Sequence, residues 1–223
     1  MSVLSRSTRA ATLCFALAIA APAAAQVTYS NGAPNGQAGF DIFNDYRAAD
    51  DFSVSGSLAF DVIRFWALAP AGSLGASKIF WQILADAGGV PGSVLTSGAA
   101  TATTTLRTSP VAGFDSWQFE LAVGPQLSGS GVFWLALHDG ALGDITDSSL
   151  LWETTDAQHG AQFAVDFIPA SEWSGDFGSN LAFELIDTTP VTATPEPATI
   201  TLVASGFVAI VTVGRRRRHK RAE

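Results

Sequence analysis

Cysteine is all but missing from this chain of 223 residues, which holds only Cys14. That residue lies in an apolar N-terminal stretch that reads as a removable leader. The mature chain therefore carries no thiol into an oxidising compartment, which excludes disulfides, cysteine nucleophiles and thiolate metal sites. Cations are scarce as well. From Gln26 to Pro190 there are 18 Asp and Glu against four Lys and Arg (Arg47, Arg64, Lys78 and Arg107), a formal charge of −14 before histidine. Such a surface repels nucleic acid and anionic headgroups, so no nucleic-acid partner is expected. Histidine in the same stretch is limited to His138 and His159, 21 positions apart, without the spacing of a zinc site. Gly-x-Ser-x-Gly, Gly-x-x-x-x-Gly-Lys, His-Glu-x-x-His and the dinucleotide fingerprint are all missing. These absences point to a protein that is not an enzyme.

What the chain does have is strongest at its two ends. Arg6 and Arg9 precede an apolar run from Ala10 to Ala21, and Pro22-Ala23-Ala24-Ala25 follows. Positive start, apolar middle and Ala23-x-Ala25 before Gln26 form a signal-peptidase substrate, so residues 1–25 are expected to be removed. Twelve apolar residues are too few to span a bilayer.

The other end is ordered in three parts. Pro195-Glu196-Pro197 comes first, an uncharged run from Ala198 to Val213 follows, and after Gly214 come Arg215, Arg216, Arg217, Arg218, His219, Lys220 and Arg221. As a helix, 198–214 reaches about 24–26 Å at ~1.5 Å per residue, against a hydrocarbon core of roughly 30 Å. Snorkelling of the basic side chains covers the shortfall. Cations beside a transmembrane end stay cytoplasmic, so the rest of the chain is expected outside an inner membrane. The prolines stop the helix and hold 195–197 extended at the membrane surface.

These residues resemble the PEP-CTERM sorting signal of Gram-negative bacteria. The resemblance implies that Pro195, Glu196 and Pro197 are a recognition motif and that Arg215 to Arg218 are a retention cluster. It also implies a partner, an exosortase-type membrane transpeptidase, which cleaves near the motif and passes the protein to the cell surface or matrix. An uncut helix acting as a permanent anchor is the competing expectation. Residues 188–194, rich in Thr and Pro, form an extended tether between domain and signal.

Between the ends, residues 26–187 show strand patterning and no amphipathic helix. Trp117, Phe119, Leu121 and Val123 alternate with polar or small residues, as do Phe163, Val165 and Phe167, and Leu181, Phe183 and Leu185. Ile79 to Leu84 and Val132 to Leu137 are continuously apolar. In Leu58 to Leu68 the apolar parity switches between Val62 and Ile63, which predicts a bulge. Val94 to Leu106, rich in Thr and Ala, reads as one edge strand, and Asp86 to Gly92 as a turn. The expected fold is all-β, an antiparallel β-sandwich of jelly-roll type, with a closed up-and-down barrel as the alternative. The apolar strands and the Asp-Ala-Gly-Gly turn also resemble the jelly-roll modules that often precede PEP-CTERM signals.

Inside the domain, candidates for chemistry are few. Asp139, Asp144 and Asp147 on a Gly-containing loop offer oxygen ligands for a structural Ca²⁺, although any turn uses the same residues. No other cofactor is expected. A glycosidase needs facing carboxylates; Glu120, Glu153, Glu172 and Glu184 are available, and sequence does not pair them. Trp152 and Trp173 are candidates for stacking on sugar rings, with core packing as their other fate. The resulting expectation is an exported adhesion, structural or polysaccharide-binding protein. The alternative is a secreted hydrolase acting on polysaccharide through a carboxylate pair.

Overall fold

The computed structural model of the chain describes residues 25–56, 58–74, 78–108, 111–124, 126–127, 130–142, 149–160, 164–167, 173–175 and 178–189. The leader, the Pro-Glu-Pro motif, the apolar run and the basic tail lie outside the described residues. Among the described residues no helix is long and apolar enough to cross a membrane. They belong to one compact unit, Ala25–Thr189.

Sixteen strands follow one another among the described residues. They are β1 (Gln26–Ser30), β2 (Pro34–Asp41), β3 (Tyr46–Val54), β4 (Leu58–Ala59), β5 (Val62–Pro70), β6 (Lys78–Asp86), β7 (Pro91–Thr101) and β8 (Thr103–Arg107). Then come β9 (Phe114–Ala122), β10 (Gln126–Leu127), β11 (Gly131–Asp139), β12 (Leu151–Thr155), β13 (Ala164–Phe167), β14 (Trp173–Gly175), β15 (Asn180–Leu181) and β16 (Phe183–Asp187). All their pairings are antiparallel.

One sheet of six runs β14-β13-β3-β11-β6-β7. A sheet of eight is built on β5. One edge of β5 takes β9, which in turn takes β8. Its other edge is shared: β16 pairs with Val62 to Phe65, and β12 pairs with Ala67 and Leu68. Strand β1 lies outside β16, while β2 and β15 pair with β12. The sheet thus forks where β12 and β16 part.

Alternation places one face of each sheet in a common core, as a half-buried strand requires. Ile63, Phe65, Phe119, Leu121, Trp152 and Phe183 of the eight-stranded sheet meet Ala48, Phe52, Ile79, Ile83, Leu135 and Leu137 of the six-stranded one. The rings of Phe65 and Phe119 stack at 4.7 Å, and Trp152 meets Phe65 and Phe183 edge-on at 6.1 and 6.0 Å. Trp152 Nε1 donates to Ala182 O at 2.8 Å, so its polar end is satisfied at the fork. The architecture is all-β and β-sandwich-like. Fully burying each such aromatic stabilises the fold by roughly 1.5–3 kcal/mol.

Two strand expectations need correction. The parity switch near Val62 is no bulge within one strand; it is a break between β4, in a two-stranded pair with β10, and β5. Asp61 stands at the break and bonds through its backbone instead. Its N–H donates to Ile186 O at 3.0 Å, and its carbonyl accepts from Val123 N at 2.8 Å and Gly124 N at 3.2 Å. The Thr/Ala-rich edge is likewise two strands. β7 closes the six-stranded sheet and β8 the eight-stranded one, with Ala102 at the crossing. The turn expected at 86–92 is confined to 87–90, with Asp86 closing β6 and Pro91 opening β7: Asp86 accepts from Gly88 N at 3.1 Å and Gly89 N at 3.0 Å, and both glycines have positive φ (85° and 89°).

Candidate functional site

Four polar centres stand out among the described residues, and in three of them the charged groups are bonded to partners within the domain. Arg64, on the outer face of β5, donates to Glu120 on β9 at 2.7–2.9 Å and to Glu184 on β16 at 2.8 Å. Burial works against the guanidinium's charge, but these bonds outweigh it and raise its pKa. Two of the candidate catalytic carboxylates are therefore a cross-strand charge ladder sharing one cation.

The second centre is on the outer face of the six-stranded sheet. Arg47 donates from Nε to Asp166 Oδ2 at 2.8 Å and from Nη1 to Gln82 Oε1 at 2.6 Å, under the ring of Trp173 at 4.5 Å. Asp166 is fully buried. The third is Asp50, in the core itself. It lies on the face of β3 shared by Ala48 and Phe52, accepts from Asn31 Nδ2, and accepts from the N–H groups of Leu181 and Asp51. Burial pushes its carboxyl well above the ordinary range, against the pull of those donors.

The fourth centre lies beneath an open cavity, with Glu153 and Ser116 themselves buried. Glu153 follows core Trp152 on β12 and so faces the other way, where β2 bends at an irregularity between Glu153 and Thr155. Gly39 is its partner on β2; a Cβ there would come within 2.8 Å of Leu151 Cβ, so only glycine lets the strands approach. Glu153 Oε1 accepts from Ser116 Oγ of β9 at 2.6 Å. The carboxyl borders an open cavity of about 240 Å³ with Asn35, Gly36, Arg107 and Ser116 around it. Burial raises the Glu153 pKa, while the Ser116 bond and the Arg107 charge pull the other way.

The rim of this cavity is held firmly. Asn35 Oδ1 accepts from Thr154 Oγ1 at 2.9 Å and Gln37 N at 3.0 Å, and its Nδ2 donates to Asp156 Oδ1 at 2.9 Å. Arg107 lies over the ring of Trp66 at 5.9 Å, which orients its guanidinium beside the cavity. The Glu153 carboxyl offers acceptor oxygens, and the Arg107 guanidinium only donates. The pair suits a ligand rich in hydroxyl groups. A larger cavity of about 430 Å³ beside β1 has Asp187 as its only charged lining residue among the described residues, and that carboxylate already accepts from Thr189 N at 2.8 Å.

The remaining expectations are placed as follows. Asp139 is buried at the end of β11, and Asp144 and Asp147 lie outside the described residues. Among the described residues no cluster of three His, Cys, Asp or Glu is arranged for a metal. His138 is buried, with Nε2 2.9 Å from Asn44 O and Nδ1 3.2 Å from Gly140 O, whereas His159 is exposed. Trp152 is core; Trp173 is half-buried against Arg47. Glu172 lies outside the described residues, as do Pro195, Glu196, Pro197 and Arg215 to Arg218. Sequence singles out Glu153 only as one acid among four. Its setting in Leu-Trp-Glu-Thr-Thr marks a strand, yet Ser116 and Arg107 lie far away in sequence and leave no local sign. No protein-family model matches the chain, and no curated protein matches it.

Proposed function

We propose that this chain is an exported protein of the cell surface or extracellular matrix, not an enzyme. Its domain is a β-sandwich of jelly-roll type, sorted by a PEP-CTERM signal. One observation carries the reading: Pro195-Glu196-Pro197, an uncharged segment and four consecutive arginines occur in that order beyond a Thr/Pro tether. A signal peptidase removes residues 1–25, the segment 198–214 parks the domain outside the inner membrane, and an exosortase-type transpeptidase acts near 195–197. The acidic, thiol-free domain suits exposure outside the cell. The Glu153–Arg107 cavity supports binding of extracellular polysaccharide through its hydroxyl groups. The test is localisation in the native host. Replacing Pro195, Glu196 and Pro197 with alanine leaves the protein at the inner membrane, whereas the unchanged chain reaches the surface. Equal surface delivery of both would overturn the reading.

A secreted hydrolase is the second reading, favoured by the raised pKa of Glu153, as a general acid requires. It needs a second carboxylate across the cavity, and among the described residues Glu153 is the only acid in the lining. Release of reducing ends from a polysaccharide by the purified chain, lost in Glu153→Gln, would establish it.

A further inference from the structure

The six-stranded sheet ends at β7, which pairs with β6 along one side and with no other strand among the described residues. An edge strand offers a row of unpaired N–H and C=O groups, and proteins guard such edges with charges, prolines or bulges. On β7 the guards sit in the first half only. Pro91 opens the strand, and its register against β6 shifts between Ile83 and Leu84 and again between Leu84 and Asp86. From Thr96 to Thr101 the pairing with Ile83 to Lys78 runs without a shift, and the segment Thr-Ser-Gly-Ala-Ala-Thr contains no charge and no proline.

We propose that the edge Thr96 to Thr101 is a self-association surface, at which a second copy of this chain adds its own β7 antiparallel across a two-fold axis. Charge selects this partner. The domain carries −14 between Gln26 and Pro190, so two copies repel over most of their surface. The stretch from Ala87 to Leu106 has no charged residue, which makes this the side on which two copies meet without like-charge contact. A basic partner would be drawn to the acidic faces instead. An antiparallel edge is also self-complementary, since each strand supplies the donors and acceptors the other lacks, and a two-fold axis closes the assembly.

The surroundings fit such a join. β8 continues directly from β7 and is itself the edge of the eight-stranded sheet, so one side of the molecule presents both edges. Val94, Leu95 and Leu106 flank it, 48, 50 and 57% exposed, and supply apolar area beside the new pairing. Gly98 lets β7 lie close on Trp81, since a Cβ would fall 2.8 Å from its Cζ2. This inference depends on the fold alone and stands apart from the sorting signal and the Glu153 cavity.

Sedimentation equilibrium on the unit Ala25–Thr189, in which every described strand finds its partners, tests it. Ser97 and Ala99 are exposed, so Ser97→Lys with Ala99→Lys leaves the fold intact, as circular dichroism would verify. The unchanged unit dimerises; the double variant binds itself at least about tenfold more weakly, because cations meet across the join. High salt restores part of that loss. A unit that stays monomeric at about 0.1 mM, or a dimer indifferent to both lysines, would overturn the proposal.

Discussion

Asn31 Nδ2 donates to Asp50 Oδ2 at 2.9 Å, and also to Leu181 O at 3.0 Å, in the interior between the two sheets. One amide thus ties the end of β1 to a carboxyl on β3 and to the start of the fork at β15. Burial of that carboxyl favours its neutral form more than its three donors favour the charged one.

The folded chain therefore keeps a proton on Asp50 that the unfolded chain releases above about pH 4. Its contribution to stability is greatest below that pH. It declines as pH rises toward the folded pKa, with the slope of ~1.4 kcal/mol per pH that one retained proton gives. Asp50→Asn removes this titration and leaves the other acids as they are. Urea unfolding of both proteins should show the variant gaining on the original chain as pH rises above about 4. A difference independent of pH would contradict the assignment.

The two arginine centres should differ sharply. Asp166 is fully buried, so Arg47→Met leaves an uncompensated charge and costs about 3–5 kcal/mol. Arg64 and its two glutamates are partly exposed, and Arg64→Met costs about 1 kcal/mol or less. Equal losses in thermal unfolding would mean that water reaches the Arg47 centre as freely as it reaches Arg64.

Trp152→Ala removes an aromatic packed between Phe65 and Phe183 and costs about 3–5 kcal/mol, with no direct effect on ligand binding. Trp173→Ala loses a cation–π contact with Arg47 worth roughly 0.5–2 kcal/mol. Denaturant midpoints measured side by side separate the two.

Glu153→Ala and Arg107→Ala should each weaken binding on a polysaccharide array by about 10- to 100-fold, the value of one or two polar contacts. Glu153→Gln should lose less than Glu153→Ala, because the amide matches the carboxyl in shape and keeps one acceptor oxygen. Binding unchanged in both alanine variants would place the ligand elsewhere.

The all-β class is legible because Trp117, Phe119 and Leu121, or Leu181, Phe183 and Leu185, recur at every second position with small or polar residues between them. β3 leaves no such pattern although it lies within the six-stranded sheet. Arg47, Asp50 and Asp51 interrupt its apolar run, and only the partners found in three dimensions (Asp166, Asn31, Leu181) explain how Arg47 and Asp50 come to be buried. The parity switch at Val62 is a real change of side, but parity cannot distinguish a bulge from a move between sheets. Glu153 is visible as an acid, whereas its pairing with Ser116 across 37 positions depends on strand order, which no local pattern encodes.

Intact-mass spectrometry of the protein released from the surface of its native host tests the account's core directly, namely export followed by trimming at both ends. The expected species begins at Gln26 and has lost Arg215 to Arg218. A surface species that still carries the arginines, or a full-length chain with Met1 recovered from the cytosol, would contradict it.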